Sequence, residues 1–277
     1  MSIMDVPQWP PGVRATQVTT WRKGEVQAQP DCLAEEVPIA LVFNGITHAV
    51  MLASPADLQD FALGFGLSEG LLKEPAELYG VEVAPLADGI ELQLEVAAAC
   101  EWRLKERRRS LAGRTGCGLC GADSLAQVRQ ALASVPPTRL QPGALTKAQQ
   151  GLRAHQIIQQ LTGATHAAAW CSPEGEVLLV REDIGRHNAL DKLIGAMSRQ
   201  GISSREGFVC ITSRASFEMV QKAAMAGVGV LAAVSAPTAL AVQCALSCGL
   251  ALAGFVRGDD LVAYSHPERL GLHADGV

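Results

Sequence analysis

The sequence predicts an α/β protein: a C-terminal domain on a mostly parallel sheet, preceded by a smaller α+β region. Two observations carry this. From Thr146 onward, strand-like and helix-like segments alternate, the pattern of βαβ units around a sheet covered on both faces. Between about residues 31 and 100, by contrast, two apolar runs, one amphipathic helix and one alternating strand are mixed. The 277 residues leave room for one large domain or two modest ones.

In chain order, residues 1–30 read as a flexible tail. MSIMDVPQWPPGVRATQ has three prolines and an early Asp5, and it lacks both the basic and the apolar stretch of a signal peptide. Residues 31–100 form the N-terminal α+β region. In EEVPIALVFNGITHAVMLAS two apolar runs flank Asn44-Gly45, a strong type I′ hairpin signal. SPADLQDFALGFGLSEGLL then predicts a helix with Ser54 as N-cap, Pro55 in the first turn, and Leu58, Phe61, Ala62 and Phe65 at helical spacing. In GIELQLEV, Ile90, Leu92, Leu94 and Val96 alternate with Glu91, Gln93 and Glu95, as in a half-buried strand.

Residues 101–144 change character. They begin with the basic run RLKERRRS, pass through GRTGCGLCGADSL and end in SVPPTRLQPG, which reads as a linker carrying a site. Residues 145–277 make up the C-terminal α/β domain. Its expected order is helix KAQQGLRAHQIIQQL, strands THAAAW and EVLLV, helix HNALDKLIGAM, strand FVCIT, helix SFEMVQKAAMA, strand VGVLAAV, helix TALAVQCALS and strand LALAGFV.

Composition narrows the function. Aromatic residues at 4% leave few rings for stacking bases, and a net charge of -5 gives no general attraction to nucleic acid. Ala223 to Val256 is a stretch of 34 residues without a formal charge, but Gly227, Gly229, Ser235, Pro237, Gln243, Ser247 and Gly249 divide it into pieces of strand and helix length. It therefore reads as buried core, not a membrane span. Eight cysteines without a secretory signal fit a reducing, cytoplasmic setting.

Polar residues gather at strand carboxyl ends. EVLLV is followed by REDIGRH, FVCI by TSRAS, LAAV by SAPT and LALAGFV by RGDD. In a parallel sheet these ends share one rim, beside helix N-termini whose free N–H groups suit anions. The alternative reading is ordinary helix capping by Ser213 or Ser216, Ser235 and Pro237. Glu182, Asp183, Arg186 and His187 lie within six residues and suit either acid, base or phosphate contacts or a structural network. No nucleophile motif such as G-x-S-x-G accompanies them.

The basic run holds Arg103, Lys105, Arg107, Arg108 and Arg109, with Arg114 beyond it. As a helix it is largely solvated, with Leu104 and Leu111 on its one apolar side. Its positive field lies beside Cys117 and Cys120. A thiol of pKa near 8.5 is about 10% thiolate at pH 7.5, and lowering that pKa by about two units makes it about 90% thiolate. Gly113, Gly116, Gly118 and Gly121 permit close approach of a partner. Three uses of the pair remain. Structural zinc needs two further ligands, for which Cys244-x3-Cys248 or scattered histidines are the nearest candidates. A dithiol redox site usually opens a helix directly after a strand. Sulfur relay needs an exposed, nucleophilic cysteine and suits this loop best.

The ordered combination of GRTGCGxCG with EDIGRHNALDK resembles the FdhD/NarQ family of formate dehydrogenase accessory sulfurtransferases. The resemblance extends through EEVPIALVFNGITHAVMLASPADLQDFALGFGLSEG, LTGATHAAAW, TSRASFEMVQKAAMAGV and YSHPERL. It implies a cytoplasmic homodimer with a cytidine-deaminase-like α/β/α domain, though without the deaminase zinc signature and with no metal site. It implies a sulfurtransferase that accepts sulfur as a persulfide from a cysteine desulfurase. The sulfur then passes to the bis-molybdopterin guanine dinucleotide cofactor (Mo or W), as bound substrate, for formate dehydrogenase apoenzyme. By this resemblance Cys117 is the persulfide carrier and Cys120 an assisting thiol. Phe255, Val256, Arg257, Gly258, Asp259 and Asp260 match the segment for the guanosine nucleotide moiety. Family members often carry a basic residue near the end of that segment, where this chain has Asp259-Asp260. Two carboxylates would repel a pyrophosphate unless they face a guanine N–H edge, so Arg186, Arg214 or the 103–114 run is expected to supply the positive charge. The reading from another class is a cofactor chaperone whose cysteines form a zinc or disulfide staple.

Overall fold

The computed structural model describes residues 9–111 and 132–272. It opens on a two-stranded antiparallel ribbon, β1 (Val13–Arg22) and β2 (Glu25–Ala34), within the stretch expected to be a flexible tail. The tail expectation is corrected over these residues. Lys23 and Gly24 both take positive φ, 52° and 89°, the two-residue turn whose twist matches a hairpin. Lys23 hides this signal, because it is not a residue that favours that region.

The N-terminal unit is a four-stranded sheet in the order β4-β3-β6-β5, from β3 (Val37–Phe43), β4 (Ile46–Ala53), β5 (Leu78–Leu86) and β6 (Gly89–Val96). Asn44 and Gly45 join β3 to β4 with φ of 44° and 78°, as the sequence predicts. One face of the sheet buries Ile39, Leu41, Phe43, Leu92 and Leu94 against Phe61, Ala62 and Phe65 of α1 (Leu58–Ser68), and against Cys100 and Leu104 of α2 (Ala98–Leu111). Ser54 does not cap α1. Asp57 holds that position, while Ser54 is fully buried and bonded to the C-terminal domain.

The C-terminal domain is a six-stranded sheet in the order β12-β11-β10-β9-β7-β8, made of β7 (His166–Cys171), β8 (Val177–Asp183), β9 (Phe208–Ile211), β10 (Val230–Ala233), β11 (Ala251–Arg257) and β12 (Asp260–Ser265). β9, β10 and β11 are mutually parallel; β7 runs against β8 and β9, and β12 runs against β11. Strands β8 to β11, omitting β7, therefore point one way, and their carboxyl ends share a rim. Successive side chains go to opposite faces. Ala167, Ala169 and Cys171 pack with α3 (Ala144–His155), whereas Ala168 and Trp170 pack with α5 (Arg186–Arg199), α6 (Phe217–Met225) and α7 (Ala239–Cys248). The result is the expected α/β/α arrangement.

The helix expected over 147–161 is two helices, α3 and α4 (Ile157–Thr162), broken at Gln156. Glu182 accepts from two N–H groups in the first turn of α4, those of Ile158 and Gln159, both at 2.8 Å, and from Thr165 Oγ1 at 3.0 Å. A carboxylate at an N-terminus offsets the lost helical bonds and favours a restart. Residues 132–143, expected as linker, lie along the domain: Val135 N–H donates to Cys248 and Leu140 N–H to Arg269, with both side chains buried.

Candidate functional site at the strand carboxyl rim

The EDIGRHNALDK stretch divides by burial. Asp183 and Lys192 are fully buried and 2.6 Å apart. Asp183 Oδ2 also accepts from Ser54 N–H at 3.0 Å, while Oδ1 accepts from Gly185 N–H at 2.8 Å and from Asn188 Nδ2 at 3.0 Å. Lys192 donates to Ser54 O, and Asn188 to Leu52 O. A second cluster joins Asp191 to Ser68 and to Lys222, which also reaches Glu69. Burial pushes the Asp191 carboxyl up; burial opposes the Lys222 charge, but Asp191 and Glu69 hold its pKa up. A third has Asp60 between Arg181 and Arg199, each at 2.7 Å. These residues weld the N-terminal unit to the C-terminal domain. Glu182 and Asp183 thus act in a structural network, the second of the two readings open from sequence.

Arg186 and His187 belong to the rim. They begin α5, next to the carboxyl end of β8, and His187 Nε2 lies 2.8 Å from Glu218 Oε2 in the first turn of α6. Arg186 Nε is buried without a hydrogen-bond partner among the described residues, and so is Ser216 Oγ, the N-cap position of α6. Two buried donors without acceptors require an explanation, and a bound anionic group supplies one. Burial and then the Arg186 charge hold the His166 imidazole below its ordinary pKa, and His166 pairs directly across from Asp183. His166 and Glu218 were not singled out from sequence. Glu218 lies 31 positions from His187 on another helix, so no local spacing announces the pair.

Capping and ligand readings also separate here. Thr238 does cap α7, accepting from Ala241 N–H at 3.3 Å, whereas Ser216 makes no side-chain cap bond and Ser213 Oγ donates to Arg214 O. Arg214 is exposed at the same rim.

The expected nucleotide segment falls on a distorted strand end. Phe255 takes φ 52°, and the β11–β12 register slips by one residue between Gly254 and Arg257, a bulge. A bulky residue in the left-handed region costs about 1–3 kcal/mol, and such strain concentrates at functional sites. The bulge leaves the Phe255 ring 40% exposed, with the Arg257 guanidinium 5.9 Å from its centre. Arg257 Nε donates to Val234 O at the end of β10. Val256 points inward and is buried. Gly254 has no room for a side chain, since a Cβ there would lie 2.8 Å from Pro237 Cδ. Gly258 O and Asp259 Oδ1 accept from Gln150 of α3 at 3.0 and 3.1 Å, and Asp260 begins β12. Asp259 is therefore turned towards α3.

Cys117 and Cys120 lie outside the described residues, as does Arg114. The helix leading towards them is rooted firmly: Arg103 of α2 donates to Leu71 O at 3.0 Å and to Glu77 Oε2 at 2.5 Å. Cys244 and Cys248, the candidate extra zinc ligands, are one turn apart on α7, buried in the core with Val135 and Leu250. Among the described residues no three His, Cys, Asp or Glu side chains form a metal-binding group. Also among them, no helix is long and apolar enough to cross a membrane.

Glu218 provides a pH prediction. The hydrogen bond from His187 holds its carboxyl below the ordinary 4.5, against burial, which acts the other way. A depressed carboxylate contributes stability that is complete above the unfolded-state value and is lost as pH falls through the folded one. Glu218→Gln is therefore expected to lower the urea midpoint at pH 7 by the equivalent of roughly 1 kcal/mol. The difference from the parent should shrink below pH 4.5, and an undiminished difference at pH 3 would contradict the assignment.

The fold and site define an α/β/α protein with a polar rim at its strand carboxyl ends, joined by a buried polar weld to an N-terminal sheet whose basic helix precedes a Cys-x-x-Cys segment in the sequence. The model of the FdhD/NarQ family matches residues 34–271, and this chain belongs to that family. The chain is 57% identical over 277 residues to the Sulfur carrier protein FdhD of Variovorax paradoxus, covering 99% of this chain and 100% of that one. It is 57% identical over 247 residues to the Bordetella petrii protein of the same name, with 88% of each covered, and 55% identical to that of Cupriavidus necator, with 94% and 91% covered. The crystal structure of a Desulfotalea psychrophila protein, described as a formate dehydrogenase accessory protein, matches with a TM-score of 0.73. It covers 94% of this chain and 100% of that one at 22% identity, which speaks for the fold alone.

Proposed function

We propose that this protein is a cytoplasmic sulfur carrier serving formate dehydrogenase, with Cys117 as the carrying thiol. A cysteine desulfurase presents a persulfide. The Cys117 thiolate attacks its outer sulfur, a new S–S bond forms, and the donor cysteine leaves as a thiolate. The sulfur then goes to the bis-molybdopterin guanine dinucleotide, a substrate held at the rim by its guanosine end. Phe255 and Arg257 offer a ring face and a cation for that end, while Arg186 Nε and Ser216 Oγ offer donors to phosphate oxygens. Cys120 assists release of the sulfur. The protein works as a homodimer.

The observation that carries the reading is the end-to-end likeness to proteins named as sulfur carriers, with both cysteines of GRTGCGLCG present. The rim is compatible with the second half: a strained bulge lies on β11 in the segment expected for the nucleotide, and two orphaned donors follow β8 and β9 further along the same rim.

The test is incubation with a cysteine desulfurase and sulfur-labelled cysteine, followed by non-reducing isolation. The parent should retain label that dithiothreitol releases, Cys117→Ala should retain almost none, and Cys120→Ala should retain a substantial part. Full retention by Cys117→Ala would remove that residue from the carrier role. Stoichiometric zinc lost from a Cys117→Ala/Cys120→Ala variant would favour the chaperone with a metal staple instead.

A further inference from the structure

The rim holds a pair of titratable side chains that the sulfur-carrier reading does not use. His187 Nε2 is closed off from solvent and faces Glu218 Oε2 at 2.8 Å. The His187 side chain is nevertheless 26% exposed, so the rest of its ring is open, and Nδ1 has no hydrogen bond among the described residues. Glu218 sits in the first turn of α6, where a helix end favours a carboxylate, and the bond from His187 holds its carboxyl below the ordinary 4.5. A carboxylate behind one imidazole nitrogen fixes the ring and leaves the other nitrogen to give or take a proton. The rival reading is a pair that only ties α5 to α6, and the neighbours argue against it. Arg186 Nε precedes His187 on α5 and Ser216 Oγ precedes Glu218 on α6, both buried without a partner among the described residues. A free imidazole nitrogen beside donors suited to an anion is the equipment of a group transfer whose leaving group is an oxygen.

The other charged groups around the ring have other roles. His166, at the start of β7, is kept below its ordinary pKa by burial and then by Arg186, which makes it the poorer proton donor at neutral pH. Asp183 is taken by Lys192, and Lys222, one turn along α6 from Glu218, by Asp191 and Glu69. Arg186 and the exposed Arg214 are guanidinium groups, which do not give up a proton in proteins.

We propose that His187 is the proton donor for delivery of sulfur to the cofactor, with Glu218 as its positioning residue. The proposal rests on the sulfur-carrier reading above. The Cys120 thiolate attacks Cys117 Sγ: the Cys117–Cys120 disulfide forms, the S–S bond of the persulfide breaks, and the outer sulfur leaves as HS⁻, reduced by the two thiols. HS⁻ displaces an oxo ligand of the substrate's molybdenum or tungsten, so that a metal–sulfur bond forms and a metal–oxygen bond breaks. The oxygen leaves as water, with one proton from HS⁻ and one from His187 Nδ1. A thiol reductant then returns the two cysteines to the dithiol.

The test is single-turnover transfer of labelled sulfur from the desulfurase-loaded protein to the oxo form of bis-molybdopterin guanine dinucleotide, read by mass spectrometry of the cofactor between about pH 6 and 8. The parent should transfer label more slowly as pH rises. His187→Gln should load label at Cys117, transfer it roughly 100-fold more slowly at the acid end, and have lost that pH dependence. Glu218→Gln should keep a pH-dependent rate with the fall moved to lower pH, because the imidazolium loses its counter-charge. His166→Gln should keep the parent's profile. A parent that loads label but passes none to the cofactor would overturn the cofactor half of the reading above, and the inference with it. A parent that transfers, beside a His187→Gln variant with the parent's rate, would overturn the inference alone. So would a His187→Gln variant slowed equally at every pH with the fall retained, the mark of a structural role.

Discussion

Lys192→Met is expected to cost about 3–5 kcal/mol of stability, the usual result of removing one partner of a buried ion pair. Lys192 and Asp183 are both fully buried. Removing the ammonium leaves Asp183 with three donors, Ser54 N–H, Gly185 N–H and Asn188 Nδ2, but no counter-charge at 2.6 Å. It also strips Ser54 O of its Lys192 donor. Of these partners, Ser54 lies in the N-terminal unit and the rest in the C-terminal domain, so the loss falls on the joint between the two. Urea unfolding followed by circular dichroism should show a lower midpoint. If the two units then melt separately, the transition should broaden or split as well. A loss below about 1 kcal/mol would mean that solvent or rearrangement replaces the pair, and the weld would not be energetic.

The same residues show what the sequence can and cannot disclose. Asp183, Asn188 and Lys192 are local in sequence, but their partners Leu52 and Ser54 are about 130 positions away. No periodicity or spacing encodes a hydrogen bond of that separation. Burial was legible where a side-chain rhythm exists, as in the alternation of Leu92, Leu94 and Val96 or the apolar runs of β9 to β11. It was not legible in β1 and β2, whose polar alternation reads as tail. Nor was it in β12, where Asp259-Asp260 masks a strand start and draws attention as a ligand segment. The rim itself was visible, because polar residues recur after four strands and three of those strands prove adjacent and parallel. What sequence could not supply was the division of labour along the rim: Thr238 caps, Ser216 does not, Glu182 starts a helix and Phe255 is strained. Each depends on backbone geometry fixed by a neighbouring element.

Gly195→Ala is expected to lose about 3 kcal/mol, although alanine is the better helix former by about 1 kcal/mol. The reason is the crossing of α1 and α5. A Cβ on Gly195 would lie 1.9 Å from Asp60 O, and one on Gly64 would lie 1.7 Å from Asp191 O. The obstructing atoms are helix carbonyls, so no rotamer change relieves the clash and the helices must separate. Separation reaches the charge clusters at once, since Asp60 takes Arg181 and Arg199, and Asp191 takes Ser68 and Lys222. It also tilts α5, which presents Arg186 and His187 at the rim, so under the proposed function guanosine-nucleotide affinity should fall together with the unfolding midpoint. Gly151→Ala is the matched control. It sits in α3, where a Cβ would lie 3.6 Å from Val177 Cγ2, an ordinary contact, so it should gain up to about 1 kcal/mol. If both variants shifted the midpoint in the same direction, helix propensity would be setting stability at these sites, and the close crossing would not be what holds α1 to α5.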